Sequence, residues 1–308
     1  MKFTLRQIEV FVAVARHESV SRAALALALS QSATSTALGE LERLYETQLF
    51  DRVGKALRLN ELGQSLLPHA VELLERAQGI ETQLEGRSGY GRLRIGATLT
   101  IGNYLATLIV ADFLTRHPES EVRLEVHNTA TIVDQLLRYE IDLGLIEGHC
   151  RHPDLIVEPW LADELVVFCA PGHRLARAGT ATLADLEGEA WIMREAGSGT
   201  REALDQALRE KHQEPVVRLE LEHTEAIKRA VEFGLGIGCI SRLALREAFR
   251  RGSLVAIEVP ALDLRRHFHF VWHRRKYQTA GMREFVALCR AMTAGVARSD
   301  EIEWPFIP

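Results

Sequence analysis

Two short runs of hydroxyls and glycines carry the most chemistry in this chain: Thr98-Leu99-Thr100 and Gly197-Ser198-Gly199-Thr200-Arg201. The first follows a strand pattern and opens a helical one, and the second opens another helix about one lobe later. Free N–H groups at a helix N-terminus, with the helix dipole behind them, favour an anion. Hydroxyls add donors, and glycine lets the backbone come close. Each run alone is explained by a plain N-cap. Two of them in lobes that face one another predict a site for a small anion, a carboxylate or a sulfur oxyanion. A charge-assisted hydrogen bond contributes ~1.5–3 kcal/mol, so a few such donors suffice. Glu147, at the end of a strand pattern in Ile146-Glu147-Gly148, complicates the site. Its carboxylate repels an anion unless it is protonated or paired, and Arg201 is the partner on offer. The predicted effector set is therefore Thr98, Thr100, Glu147, Ser198, Gly199, Thr200 and Arg201.

A second group of polar residues lies near the N-terminus. Gln31, Ser32, Ser35 and Thr36 crowd the first turns of a helix whose apolar positions are Ala33, Ala37, Leu41 and Leu44. Before it, Ser21 is expected to cap an Ala/Leu helix running to about Ala28, with a turn near Leu29-Ser30. Small polar side chains at such a place suit a recognition helix that meets base edges in the major groove. An ordinary helical hairpin would look similar, but a wing follows. Phe50–Val53 and Leu57–Asn60 read as two strands joined by a turn at Gly54, with Arg52, Lys55 and Arg58 positioned for phosphates or the minor groove. Leu5, Ile8, Phe11, Val12 and Ala15 give a supporting first helix.

Residues 61–85 form a long helical pattern. Leu62, Leu66, Ala70, Leu73, Ala77, Ile80 and Leu84 recur close to a heptad seam, which suits pairing with a second copy. Pro68 should kink it early. Glu85 to Gly91 then breaks helicity. From residue 92, strand patterns at 93–97, 122–127, 143–147, 165–170, 216–221, 237–240, 254–259 and 268–272 alternate with helical ones. Such alternation implies parallel sheets covered by helices, in two lobes with a ligand crevice between them. The expected order is a winged helix-turn-helix domain (1–60), a dimerising linker helix (61–86), a two-lobed α/β effector-binding module resembling periplasmic binding proteins (91–292) and a tail (293–308). Trp304, Phe306 and Ile307 give that tail enough apolar surface to dock.

Composition narrows the function. The net charge is −5 over 308 residues, yet residues 1–60 carry 8 Lys and Arg against 6 Asp and Glu. A DNA reader attached to a larger acidic module fits that imbalance. The cysteines at 150, 169, 239 and 289 have no Cys-x-x-Cys spacing, so reduced thiols in a cytosol are expected. No apolar run approaches the ~20 residues of a membrane span, and the charged N-terminus lacks a secretory signal. Gly234-Leu235-Gly236-Ile237-Gly238 follows a helix and enters a strand, the reverse of a dinucleotide fingerprint. His267, His269 and His273 alternate with Phe268, Phe270 and Trp272, as on a half-exposed strand, so no metal is expected. Arg274-Arg275-Lys276 reads as a solvated turn. No cofactor and no catalytic residue is expected, since no nucleophile elbow, His-Glu-x-x-His or P-loop is present.

In this order of parts the chain resembles the LysR-type transcriptional regulators, over residues 3–292. The resemblance is carried by Leu-Arg-Gln-Ile-Glu-Val-Phe at 5–11, Ser-Gln-Ser-Ala-Thr-Ser at 30–35 and Leu-Phe-Asp-Arg at 49–52. Thr-Ile-Gly-Asn-Tyr at 100–104, Glu-Gly-His-Cys at 147–150 and the run at 194–201 look like the branch of cysteine- and sulfite-related regulators. The resemblance implies a homodimer or homotetramer that binds promoter DNA with its first domain and senses a small molecule with its α/β module. Thr36 stands where many members carry Arg, which puts one base contact in doubt. The rival reading is an α/β enzyme with a DNA-binding-like N-terminal domain. A solute-binding protein is a third, undercut by the first 60 residues.

Overall fold

A computed structural model describes residues 2–54, 56–84, 90–148 and 150–303. The N-terminal unit begins with α1 (Leu5–His17), α2 (Val20–Ala26) and α3 (Gln31–Leu44). Each has a side-chain cap on its orphan N–H groups: Thr4 with Gln7 in a capping box, then Ser19, then Ser30. Ser19, not Ser21, caps α2, and this places Ala23 and Ala24 inward. On α3 the inward residues are Thr34, Leu38 and Leu41 instead of Ala33 and Ala37. Thr34 is accommodated there because its hydroxyl donates to the Ser30 carbonyl at 3.0 Å. Strands β1 (Phe50–Val53) and β2 (Ala56–Leu59) pair antiparallel as the wing. Phe11 meets Phe50 in the shared core, ring centroids 5.7 Å apart.

Helix α4 (Glu61–Leu84) is a single 24-residue helix despite Pro68 inside it. Leu67, Ala70 and Val71 face the N-terminal core, whereas Leu62, Ile80 and Leu84 are 49%, 58% and 82% exposed.

The remaining chain forms one nine-stranded mixed sheet folded into two lobes. Lobe I contains β3 (Arg92–Ala97), α5 (Leu99–Ile101), a π turn (Gly102–Ala106), α6 (Thr107–Arg116), β4 (Glu121–Val126), α7 (Thr129–Leu137) and β5 (Leu143–Glu147). The long strand β6 (Leu155–Cys169) crosses to lobe II. There follow α8 (Leu183–Leu186), β7 (Ala190–Arg194), α9 (Gly199–Arg209), β8 (Val216–Leu221), α10 (Thr224–Glu232), β9 (Ile237–Ser241), α11 (Arg242–Arg251) and β10 (Val255–Ile257). Strand β11 (Arg265–His273) returns to lobe I, and α12 (Ala280–Met292) covers it. Strand order is β4-β3-β5-β11-β6-β9-β7-β8, with β10 beside β6.

The sheet is not purely parallel, as the alternation implied. The β3–β4, β3–β5, β7–β8 and β7–β9 pairs are parallel, but β11 runs antiparallel to both β5 and β6. Two antiparallel crossings, β6 outward and β11 back, are what join the lobes. Four buried apolar clusters, two per lobe, supply their cores.

Candidate effector cleft and DNA-reading face

Two helix N-termini converge on the carboxylate of Glu147, which is buried at the end of β5, and a third meets its backbone carbonyl. The helix that α5 opens donates the Thr100 backbone N–H to Glu147 Oε1 at 2.6 Å. From lobe II, at the start of α9, the Thr200 hydroxyl donates to Glu147 Oε2 at 2.9 Å. At the start of α7, the Thr129 hydroxyl accepts the Gly199 N–H at 3.2 Å and lies 3.5 Å from the Glu147 carbonyl. Gly199 is required here: a Cβ at that position would sit 2.1 Å from the Glu147 carbonyl oxygen. Thr98 caps the start of α5 with its backbone geometry while its hydroxyl accepts the Glu147 N–H at 3.1 Å. Ser198 is buried as the N-cap of α9.

The cation behind Glu147 is Arg266. Its Nη2 lies 3.0 Å from Glu147 Oε2, its Nε 2.7 Å from Asp163 Oδ2, and its Nη1 donates to Thr200 Oγ1 at 2.9 Å. Arg266 stands directly opposite Asp163 in the β11–β6 register. Asp163 also accepts from Ser241 at 2.6 Å and Ser299 at 2.5 Å. Burial opposes ionisation of Glu147 most strongly, yet Arg266, Arg194 and the Thr100 and Thr200 hydroxyls together hold its carboxyl below the usual range. Arg266 is likewise held charged against its burial by Asp163 and Glu147. Beside it, Arg194 and Glu195 form a buried bidentate pair at 2.7 and 2.8 Å.

The structure thus brings Thr98, Thr100, Glu147, Ser198, Gly199 and Thr200 to one cleft. Arg201 is not the partner of Glu147. It faces away, bound to Asp205 at 2.9 Å and Glu220 at 3.0 Å, because α9 turns it to the helix's outer side. Sequence reasoning missed Arg266, Asp163, Arg194 and Thr129. A signal for Arg266 existed: it shares strand parity with Phe268 and Phe270, so period-2 alternation points it inward. A cavity of about 210 Å³ adjoins the cluster at Gly148, Gly199 and Arg266, and its rim carries Glu202, Glu210 and Asp263 beside Arg265. Across the cleft the π turn aims Tyr104 at Glu225 of α10, 2.5 Å from its carboxylate, with Lys228 2.6 Å from the same group.

At the other end of the molecule Gln31, Ser32, Ser35 and Thr36 are all exposed at the start of α3, as is Arg52 on the wing. Lys55, residues 85 and 86 of the expected linker, His149 of the 147–150 run and the apolar tail at 304–308 lie outside the described residues. Lys276 is buried instead of solvated. Among the described residues no helix is long and apolar enough to cross a membrane, and no His, Cys, Asp and Glu cluster fits a metal.

A winged helix-turn-helix joined by a long helix to a two-lobed binding module defines a DNA-binding regulator with a sensing domain. Comparison with known proteins agrees. Residues 5–64 match the bacterial regulatory helix-turn-helix protein, lysR family, and residues 86–294 match the LysR substrate binding domain. The chain belongs to the LysR family of transcriptional regulators. It is 43% identical over 289 residues to the HTH-type transcriptional regulator YeiE of Escherichia coli, covering 94% of this chain and 98% of that one. It is 35% identical over 291 residues to the RuBisCO operon transcriptional regulator of Allochromatium vinosum, covering 93% and 96%. The regulatory domain of Synechocystis CcmR, solved in complex with 2-PG, is 30% identical with a TM-score of 0.63, covering 67% of this chain and 99% of that one. A full-length OxyR variant from Pseudomonas aeruginosa shares the fold over 100% of both chains, with a TM-score of 0.72 at 20% identity. Full-length CbnR, solved with its target DNA, superposes over 94% of this chain and 99% of its own, with a TM-score of 0.54 at 20% identity. The relatives are named as regulators, not enzymes.

Proposed function

We propose that this regulator is controlled by a small anion, a carboxylate or sulfur oxyanion, that competes with Glu147 for the donors of the interlobe cleft. The observation that carries this reading is the convergence of helix N-termini and threonine hydroxyls on an ionised carboxylate. Groups that hold one anion suit another. The cleft in this form holds an internal occupant, so an arriving anion displaces Glu147 and repositions Arg266 between two carboxylates. CcmR with 2-PG supports a small ligand in a module of this shape. The acidic rim at Glu202, Glu210 and Asp263 favours the opposite sign, a small cation, as the second reading.

The DNA reading assigns Gln31, Ser32, Ser35 and Thr36 to base edges, with Arg52 and Lys55 on phosphates or the minor groove. Ser and Thr are generic readers, so DNA shape and half-site spacing carry much of the specificity. Spacing requires a dimer, or a tetramer built from dimers. Ile80 and Leu84 on α4, with Leu62 in an apolar groove also lined by Phe3, Leu41, Tyr45 and Leu66, supply the surface for a second copy. Closure of the lobes on the anion alters subunit packing, and so the spacing or bend imposed on DNA, where chromosomal DNA lies in the cytoplasm. The ligand shifts this balance only by its differential affinity for the two arrangements.

Thermal unfolding of the full chain against a panel of small carboxylates, sulfur oxyanions and amines tests the sign. A binder at 100 times its Kd adds about 2.7 kcal/mol and raises the melting temperature. Stabilisation by anions is expected. Stabilisation by amines alone would overturn the reading in favour of the second.

A further inference from the structure

The α/β module also packs against the N-terminal unit of its own chain, through a charged cluster in which Asp142 and Lys276 are buried and which shares no member with the cleft. Arg16 at the end of α1 and Glu75 on α4 come from the N-terminal side. Arg94 on β3, Asp142 just before β5 and Lys276 just after β11 come from lobe I. Asp142 receives the Arg94 backbone N–H at 2.8 Å and its guanidinium at 2.6 and 3.2 Å. The Lys276 ammonium pairs with Asp142 at 2.8 Å and with Glu75 at contact distance, while Arg94 lies 3.9 Å from Glu75. Arg16 sits beside Arg94, Asp142 and Glu140, its guanidinium pushed down to about 9 by burial. Two further contacts flank the cluster. Arg76 of α4 stacks on the Tyr277 ring at 4.3 Å. Tyr139 packs into the N-terminal core with Leu67, Ala70 and Val71, its hydroxyl 2.7 Å from His273 Nδ1. Past these contacts the junction opens into a cavity of about 540 Å³, so the docking is concentrated at one place.

Strand topology connects this cluster to the cleft. In the order β3-β5-β11, three adjacent strands connect a residue of one cluster to a residue of the other. β3 holds Arg94 and leads to Thr98; β5 follows Asp142 and ends in Glu147; β11 holds Arg266 near its start and leads, three residues past its end, to Lys276. Along β3 and β5 the four or five residues between the clusters, at ~3.3 Å of rise each, span about 15 Å. The residues between them, including Ile95, Leu145 and Phe270, are fully buried. A close-packed strand layer transmits displacement instead of absorbing it. The Glu147–Arg266 pair clamps β5 to β11 at one end, and the Asp142–Lys276 pair clamps the same two strands at the other.

We propose that the Asp142–Lys276–Glu75 bridge is the anchor by which the state of the cleft reaches α4 and the DNA-reading unit, with Lys276 as its positioning residue. Breaking the clamp at Glu147 lets β5 and β11 shift, which moves the ammonium relative to Glu75 on α4. This rests on the cleft's being the effector seat, but its test needs no effector and so fails separately from that reading.

The test is hydrogen exchange of the full-length protein, comparing Glu147→Gln in the native background with the same substitution in Lys276→Met and Glu75→Gln backgrounds. Glu147→Gln is expected to change exchange of the amides at 66–78 by about fivefold, and by less than about twofold once either anchor residue is removed. Lys276→Arg, which keeps the charge, should restore the response. Exchange in α4 that ignores Glu147→Gln would overturn the proposal. So would a fivefold response that persists without Lys276 or Glu75.

Discussion

Glu147 puts an ionised carboxylate in the cleft, at the place where the proposed effector's charge would go. Its partners hold it ionised, below the ordinary 4.5 of a free carboxyl. A depressed folded pKa contributes stability that is present above the unfolded value and lost as pH falls through the folded one. The melting temperature of the native protein should therefore fall more steeply below about pH 4.5 than that of Glu147→Gln, which has no such group to protonate. Parallel melting curves for the two proteins down to pH 3 would mean the carboxyl is not held ionised. The local half of this site was legible in the sequence: Thr98, Thr100, Ser198, Gly199 and Thr200 announce themselves by helix-start chemistry a few residues long. The other half was not. Arg266 is 119 positions from Glu147, and only the antiparallel register of β11 against β5 and β6 brings it there. Arg201, nearer in sequence to Thr200, was the wrong choice for the same reason.

At the scale of elements, α4 serves two partners with two faces. Its inner face completes the N-terminal core, and the face bearing Ile80 and Leu84 stays exposed in the single chain. Large aliphatics held in water at heptad spacing mark a surface for a second helix. Because Ile80 is already exposed, Ile80→Asp should leave the melting temperature of the protomer within a few degrees while weakening self-association at least about tenfold, or 1.4 kcal/mol. Sedimentation equilibrium checks this, and unchanged association would move the dimer contact elsewhere. The long helix was legible because helical periodicity is a property of the segment itself, although Leu66, Ala70 and Leu73 of the expected seam pack on the N-terminal core. The mixed sheet was not, since strand direction depends on which strands meet. β7 escaped notice for a related reason: Ala190–Arg194 is short, with four of its five residues buried, so it shows no alternation. Lys276 looked solvated because its partner Glu75 lies in another unit.

At the scale of the whole molecule, the exposed start of α3 and the wing belong to one unit and the Glu147 cleft to the other, with α4 packed on the N-terminal core and on lobe I. Its charge follows that division, with a basic excess confined to the first 60 residues. On the proposal above, occupancy of the cleft changes the grip on DNA. Fragments of the host genome selected by the full-length protein provide the direct test, titrated with and without a saturating anion taken from the thermal panel. The account predicts that the anion changes the affinity or the footprint on the selected fragment, in the native protein and with a dimer bound. Identical isotherms and footprints at saturating anion would contradict it.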